Sequence, residues 1–296
     1  MTEVQPTPPT LSDPDDVTDA IHRFIQRTVS AADADGVVVN LSGGIDSTVS
    51  ATLAAGALGS DRVTGLILPT DANQERNIDD AIHVAEELVI DHRVIEMQDL
   101  LDAFTRTVST VTRDVHSDPM QGSKATITVP VGHREHFTSA VGNAAARMRM
   151  MMAYFEANTT DRLVLGTGNR TELLLGYFTK YGDGAADLLP IGSLYKSEVR
   201  QVAKSLNIRR EIITKEPTAG LWAGQADEVE LGASYDQIDT VLWNLEETEA
   251  DMDTIADGMD VDLAFVQRFE RMVEASAHKR QLPAQPIDDG TQFERD

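Results

Sequence analysis

The chain has 296 residues, 41% of them hydrophobic, and no cysteine. That length supports one large α/β domain or two smaller ones, and the lack of cysteine excludes disulfides, Cys-based zinc sites and a cysteine nucleophile on this chain. Against 25 basic residues stand 49 acidic ones, a net charge of −24; such a field repels nucleic-acid backbone and anionic membrane.

No run of about 18 apolar residues is present to span a bilayer. Residues 1–14 carry Pro, Thr and Asp without a basic or apolar leader pattern, so they read as a flexible arm rather than a signal peptide. Gly36–Asn40 is an apolar β-branched run that reads as a buried parallel strand. After the turn that follows it, an Ala-rich helix is expected from Val49. Val63–Pro69 reads as a second strand, Glu75–Val89 as an amphipathic helix and His92–Met97 as a short third strand. A helix from Gln98 to about Thr112 comes next. The stretch from His116 to His136, broken by Pro119, Gly122, Pro130 and Gly132, is expected to be a loop long enough to cover a site. The Met-rich helix Phe137–Ala157 is expected in core or in a subunit interface, and Leu263–Met272 as buried packing. Arg162–Thr167 is a fourth strand. Strands alternating with helices predict a doubly wound parallel sheet with helices on both faces and ligands at the carboxyl ends of its strands. No internal repeat or low-complexity linker divides the chain, so one domain is expected over 15–282, followed by a tail at 283–296.

The most informative run is Leu41-Ser42-Gly43-Gly44-Ile45-Asp46-Ser47-Thr48. A strand, a tight glycine turn and a helix N-terminus gather backbone N–H groups and a positive dipole end around one cavity, which suits an anion. Ser42, Ser47 and Thr48 add hydroxyls, and Asp46 can hold a divalent cation against the same anion. The run lacks the lysine of a Walker A loop. It resembles instead the SGGxDS loop of the ATP pyrophosphatases, which cut ATP between the α and β phosphates.

Further segments follow in order: Asn143-Ala144-Ala145-Ala146-Arg147-Met148-Arg149-Met150, Gly166–Glu172, Gly176–Gly184, Lys215–Glu228 and His278-Lys279. With the loop, they resemble the ammonia-dependent NAD synthetases, an adenine nucleotide alpha hydrolase-like fold, from about Gly36 to Lys279. The resemblance implies that Ser42, Gly43, Gly44, Ile45, Asp46 and Ser47 bind the ATP phosphates, with Thr167, Lys196 and Thr218 also contacting ATP. It implies Mg²⁺ on Asp46 and Glu172, and deamido-NAD on Arg147, Lys180, Asp187, His278 and Lys279. Asp183 matches a position associated with ammonia, so Asp46, Asp183 and Lys196 are the residues expected at the chemistry. The implied reaction is attack of the nicotinate carboxylate on the ATP α-phosphate, then displacement of AMP by ammonia, giving NAD. A homodimer is implied too. Ile45 stands where many bacterial members have Gln, which leaves the backbone cradle in place.

Each residue has a plainer reading by itself. Glu172 could be solvated surface, Lys196 an exposed helix residue, Asp183-Gly184 a turn, Arg147 an i,i+4 partner, and His278-Lys279 a dipole-complementing cap. The ordered set argues otherwise, because Lys180, Lys196, Lys215 and Lys279 are four of only six lysines. The acidic, lysine-poor balance also suggests adaptation to high salt, hence a cytoplasmic protein of a salt-loving organism. Two rivals remain at this level: another amide-forming ATP pyrophosphatase, and a non-enzymatic nucleotide-sensing module.

Overall fold

A computed structural model describes residues 4–110, 134–218, 220–222 and 224–285. Its centre is a parallel sheet of β1 (Gly36–Asn40), β2 (Val63–Ile67), β3 (Asp91–Val94) and β4 (Arg162–Leu165), in the order β3-β2-β1-β4. Val37 pairs with Val63 on one side and Leu163 on the other, so β1 is flanked on both edges. The two-residue period of a strand then sends its side chains to opposite layers. Val37 and Val39 enter a core with Ile25, Val29, Leu53, Val84 and Val199, while Val38 enters a second with Met97, Met150, Ala153 and Val164.

The first core is covered by α1 (Pro14–Ala31), α2 (Ile45–Leu58), α3 (Glu75–Glu87) and α7 (Lys196–Ser205). The second lies under α5 (Arg134–Thr159), beside which α4 (Gln98–Thr110) packs. This is the α/β doubly wound parallel sheet with helices on both faces that the alternation predicts. β3 is shorter than the expected 92–97 strand. It forms a sheet edge on which Asp91, Arg93 and Val94 are exposed, although Ile95 N–H and Met97 N–H still bond to Ile67 O and Pro69 O at 2.9 Å each.

A third apolar cluster is formed mainly by helices. The short α6 (Arg170–Leu175), α9 (Asp227–Leu231), α10 (Tyr235–Glu247), α11 (Met252–Met259) and α12 (Leu263–Ser276) bury Leu175, Tyr235, Ile238, Leu242, Ile255, Val266 and Phe269 together. The expected burial of 263–272 therefore holds at Val266 and Phe269. The Met-rich helix divides: Met150 is buried, whereas Met151 is 56% exposed and Phe155 66% exposed.

Within the stretch expected as an arm, residues 4–13 lie against the domain. Gln5 N–H donates to Asn244 Oδ1 at 2.9 Å and Asn244 Nδ2 returns a bond to Gln5 O at 2.8 Å. Gln201 treats Leu11 N–H and Pro9 O in the same way, at 3.0 and 3.2 Å. Two side-chain amides thus satisfy the arm's backbone as a neighbouring strand would, and Val4 packs into the helical cluster. A composition of Pro, Thr and Asp gives no sign of such partners. Asp13 then caps α1, accepting from Asp15 N–H at 2.9 Å, with Pro14 at the first helical position. The expected covering loop over 116–136 lies, up to residue 133, outside the described residues. So does most of the 283–296 tail.

Strand order reverses between β1 and β4: β2 and β3 succeed β1 on one side, and β4 lies on the other. In open α/β sheets this reversal opens a crevice beyond the strands' carboxyl ends. The segments after β1 and β4 meet there.

Candidate active site

β1 turns through Leu41–Gly44 into α2, which begins at Ile45 rather than at the expected Val49. Asp46, Ser47 and Thr48 therefore form its first turn. Ser47 Oγ and Thr48 Oγ1 donate to Gly44 O at 3.1 and 2.8 Å, beside the Thr48 N–H that closes the first helical turn at 3.2 Å. Ser47 Oγ also accepts Ser42 N–H at 3.2 Å and lies 3.1 Å from Ser42 Oγ. Gly44, the N-cap, offers no side-chain cap, so the helix end presents backbone N–H groups and dipole outward, an arrangement suited to phosphate. Gly43 sits at φ +73°, and a Cβ there would come within 2.2 Å of Asn77 O. Only glycine fits.

The segment after β4 brings the second half. Asn169 caps α6 in a capping box, its side chain receiving Glu172 N–H at 3.0 Å. Its amide also donates to Asp46 Oδ1 at 3.0 Å, tying the two switch-point segments together. Lys196 opens α7 and points its ammonium between them, 2.5 Å from Asp46 Oδ2 and 3.4 Å from Glu172 Oε1. The lysine is 2% exposed, so the reading of it as an exposed helix residue is excluded. Burial works against its charge, but Asp46 and then Glu172 outweigh burial and hold its pKa above the ordinary value. Burial pushes the Glu172 carboxyl well up, and Lys196 offsets that only in part. Two carboxylates that share one cation, next to an N–H cradle, make an oxygen donor set that suits a hard divalent ion with phosphate oxygens and water completing its shell.

Around the lysine stand residues to which sequence reasoning gave no role. The Tyr235 ring lies under the ammonium at 4.9 Å, and its hydroxyl donates to Asp227 Oδ2 at 3.0 Å. Asp239, fully buried, accepts Thr171 Oγ1 at 2.6 Å and Ser197 N–H at 2.7 Å, while Thr171 Oγ1 accepts Lys196 N–H at 2.9 Å. It fixes the start of α7 to α6, and so fixes the lysine over the carboxylates. Two signals were available. A lysine in a helix's first turn opposes the dipole unless anions hold it, and Asp239 is an acid among the core positions Ile238, Val241 and Leu242.

The second group of expected residues gathers beyond α6. Gly176 ends that helix in the left-handed conformation, and Lys279 Nζ donates to Gly176 O at 2.7 Å and Phe178 O at 3.1 Å. Lys180 Nζ bonds to His278 O, and Arg147 Nε donates to Lys180 O at 3.2 Å. Arg147, Lys180, His278 and Lys279 thus form one connected set. Lys279 also does what the plainer reading asked, satisfying carbonyls after a helix end. Arg280, which carried no expectation, does more of it, donating to Leu173 O and Leu174 O at 2.9 and 2.8 Å. Asp183 lies on the turn after Thr179, accepting Thr179 N–H at 2.9 Å. Asp187 is joined to the end of the sheet instead, accepting Val164 N–H at 2.7 Å and Tyr154 OH at 3.1 Å. Thr167 is half-buried just after β4, and Thr218 is exposed, with its hydroxyl accepting Gly220 N–H at 3.1 Å.

This arrangement combines an anion cradle, a paired carboxylate set with a buried cation, and a basic cluster one short helix away. Residues 17–283 match the family described as NAD synthase. The chain is 42% identical to a Halobacterium salinarum NH(3)-dependent NAD(+) synthetase over 268 residues, covering 90% of this chain and 91% of that protein. It is 39% identical to the Pyrococcus horikoshii protein of the same name, over 93% and 96% of the two chains. Among solved structures, an NH3-dependent NAD synthetase from Campylobacter jejuni superposes with a TM-score of 0.71 at 33% identity, covering 93% and 99% of the chains. An NMN synthetase from Francisella tularensis superposes with a TM-score of 0.74 at 34% identity, covering 93% and 98%. A sheet switch point built around this loop, matched to such relatives over nine-tenths of its length, leaves one conclusion: the chain belongs to the NAD synthase family.

Proposed function

We propose that the protein amidates deamido-NAD with ammonia at the expense of ATP, releasing NAD, AMP and pyrophosphate. The observation that carries this reading is the Lys196 ammonium held between Asp46 and Glu172 at the mouth of the 42–47 loop, and the names of the relatives support it. A carboxylate does not exchange oxide for ammonia unaided. One nicotinate carboxylate oxygen therefore attacks the ATP α-phosphorus, the α–β bridging oxygen leaves with pyrophosphate, and an acyl-adenylate results. Ammonia attacks the acyl carbon, AMP leaves with that oxygen, and the amide nitrogen loses a proton.

The residues position groups and stabilise charge, and no enzyme nucleophile is needed. Ser42, Gly43, Gly44, Ile45 and Ser47 cradle the phosphates through backbone N–H groups and hydroxyls, with Thr167 and Thr218 at the nucleotide. Lys196 supplies a fixed positive charge. Asp46 and Glu172 would hold Mg²⁺, which neutralises phosphate charge when bound. Arg147, Lys180, His278 and Lys279 receive the pyrophosphate and carboxylate of deamido-NAD, Asp187 a polar group of it, and Asp183 the ammonia proton.

The test is turnover at high salt with Mg·ATP, with and without ammonium, offering deamido-NAD or nicotinate mononucleotide. Amide formation from the dinucleotide, dependent on ammonium and at least about tenfold preferred in kcat/KM, is expected. Preference for the mononucleotide would move the assignment to the activity for which the Francisella protein is named. Pyrophosphate release independent of either acceptor would leave an unassigned ATP pyrophosphatase.

A homodimer is part of this reading. Leu100, Phe104 and Val108 are exposed at i, i+4 and i+8 on α4, and Met151 and Phe155 are exposed on the neighbouring α5. In a chain of net charge −24 such a patch suits a second copy of itself. The double substitution Phe104→Asp and Phe155→Asp should halve the mass seen by light scattering in high salt; a monomeric parent would contradict the proposal. The acidic balance supports reading the protein as one suited to a salt-rich cytoplasm, where screening relieves self-repulsion. Among the described residues no helix is long and apolar enough to cross a membrane.

A further inference from the structure

Lys215 follows α8 (Arg210–Ile213) and meets the phosphate loop from α3's side. Its ammonium donates to Gly43 O at 2.7 Å, to Asn77 Oδ1 at 3.1 Å and to the Asp80 carboxylate. An ammonium has three donors, and here all three are directed at the protein's own acceptors. Lys215 is therefore not available to a phosphate. What it holds is the Gly43–Gly44 peptide. A trans peptide is planar, with its C=O and N–H opposed. Directing Gly43 O back to Lys215 turns Gly44 N–H the other way, where it donates to Ser42 Oγ at 3.3 Å, a long bond that a phosphate oxygen would replace or share. The opposite face of the turn is already against α3, since a Cβ on Gly43 would meet Asn77 O. Asp80 is itself buried and held from the other side by Arg209, 3.9 Å from its second oxygen.

We propose that Lys215 is a positioning residue for the nucleotide: it fixes the orientation of the Gly43–Gly44 peptide, and so the donor array of the loop, and it ties that loop to the segment carrying Thr218 three residues on. The proposal rests on the reading of 42–47 as a phosphate loop. A half-buried lysine with three protein acceptors is otherwise a plain structural clasp, and the two roles separate by which substrate feels its loss.

The experiment compares the parent with Lys215→Met, which keeps the apolar stem and removes the ammonium, and with Asn77→Ala, which removes one acceptor and leaves the charge pair intact. Mg·ATP affinity is read by calorimetry, KM for ATP and for deamido-NAD by steady-state turnover, and the thermal midpoint by calorimetric scanning. Loss of one charge-assisted bond on the loop should weaken Mg·ATP by about tenfold or more in Lys215→Met. KM for deamido-NAD should stay within about twofold, and Asn77→Ala should show a smaller shift of the same sign. Unchanged ATP affinity in both variants overturns the proposal. So does an equal rise in both KM values that tracks a falling thermal midpoint. Should Lys215→Met fail to fold, Asn77→Ala decides alone by the same ATP-against-deamido-NAD split. Because ATP binding is read directly, a parent that binds ATP but does not amidate deamido-NAD would sink the proposed reaction while leaving this inference decidable.

Discussion

Replacing Lys196 by methionine should lower kcat by on the order of 10²–10³-fold, the cost of deleting a preorganised charge aimed at a reacting phosphoryl group. The fall should appear in kcat and kcat/KM together, because the charge matters most where negative charge builds up. The same substitution leaves Asp46 and Glu172 facing each other without their shared cation. Glu172 is already pushed upward by burial, with Lys196 as its main counterweight. Without that lysine it should titrate higher still. A carboxyl whose folded pKa lies above its unfolded value contributes stability when protonated and loses that contribution as pH rises. The parent loses this contribution between the ordinary carboxylate range and its own raised Glu172 pKa, so the variant's thermal midpoint should go on falling at higher pH, where the parent's has levelled off. A fall that ends at the same pH in both would mean that the lysine does not set the charge state of this pair.

Gly43→Ala should leave a folded protein that has lost most of its affinity for Mg·ATP, by on the order of 10²-fold. Two effects add. At φ +73° an L side chain costs about 1–2 kcal/mol, and the added Cβ would stand 2.2 Å from Asn77 O, a backbone atom in no position to yield. The loop must then lift off α3 and withdraw Gly43 O from Lys215. Leu41 and Ile45, on either side of the turn, carry its packing into the sheet core and Gly43 itself carries none, so circular dichroism should be nearly unchanged while calorimetry loses the ATP signal. Retained ATP affinity would show that the turn is not the phosphate cradle.

The sequence-legible part of this protein is the part with a local code. The alternation of β1 and the glycine turn after it are periodic or conformational signals carried by neighbouring residues. The family motifs also put Asp46, Glu172 and Lys196 in one list, and the fold brings those three within one ammonium's reach. Less was visible where a contact spans the chain. Asp239 acts on Thr171 and Ser197 from a helix some forty residues or more away, and sequence shows only an acid at a core position. The seating of residues 4–13 depends on amides at Gln201 and Asn244, which no local composition announces. Lys215 was visible as part of a motif but without a role, because its acceptors are a glycine carbonyl and the first turns of α3. The helix start at Ile45 was missed for a different reason: propensity pointed to the Ala-rich run, while the glycine turn already delivers the chain into helical geometry at Ile45, with Thr48 N–H bonded to Gly44 O.

The central claim is that this site activates a carboxylate by adenylation and that ammonia then displaces AMP. The most direct measurement uses deamido-NAD labelled with ¹⁸O in its nicotinate carboxylate, turned over with Mg·ATP and ammonium, with the products read by mass spectrometry. One ¹⁸O in AMP for each NAD formed, and none in pyrophosphate, is the result the account predicts. Label in pyrophosphate or inorganic phosphate, or NAD formed with unlabelled AMP, would contradict it.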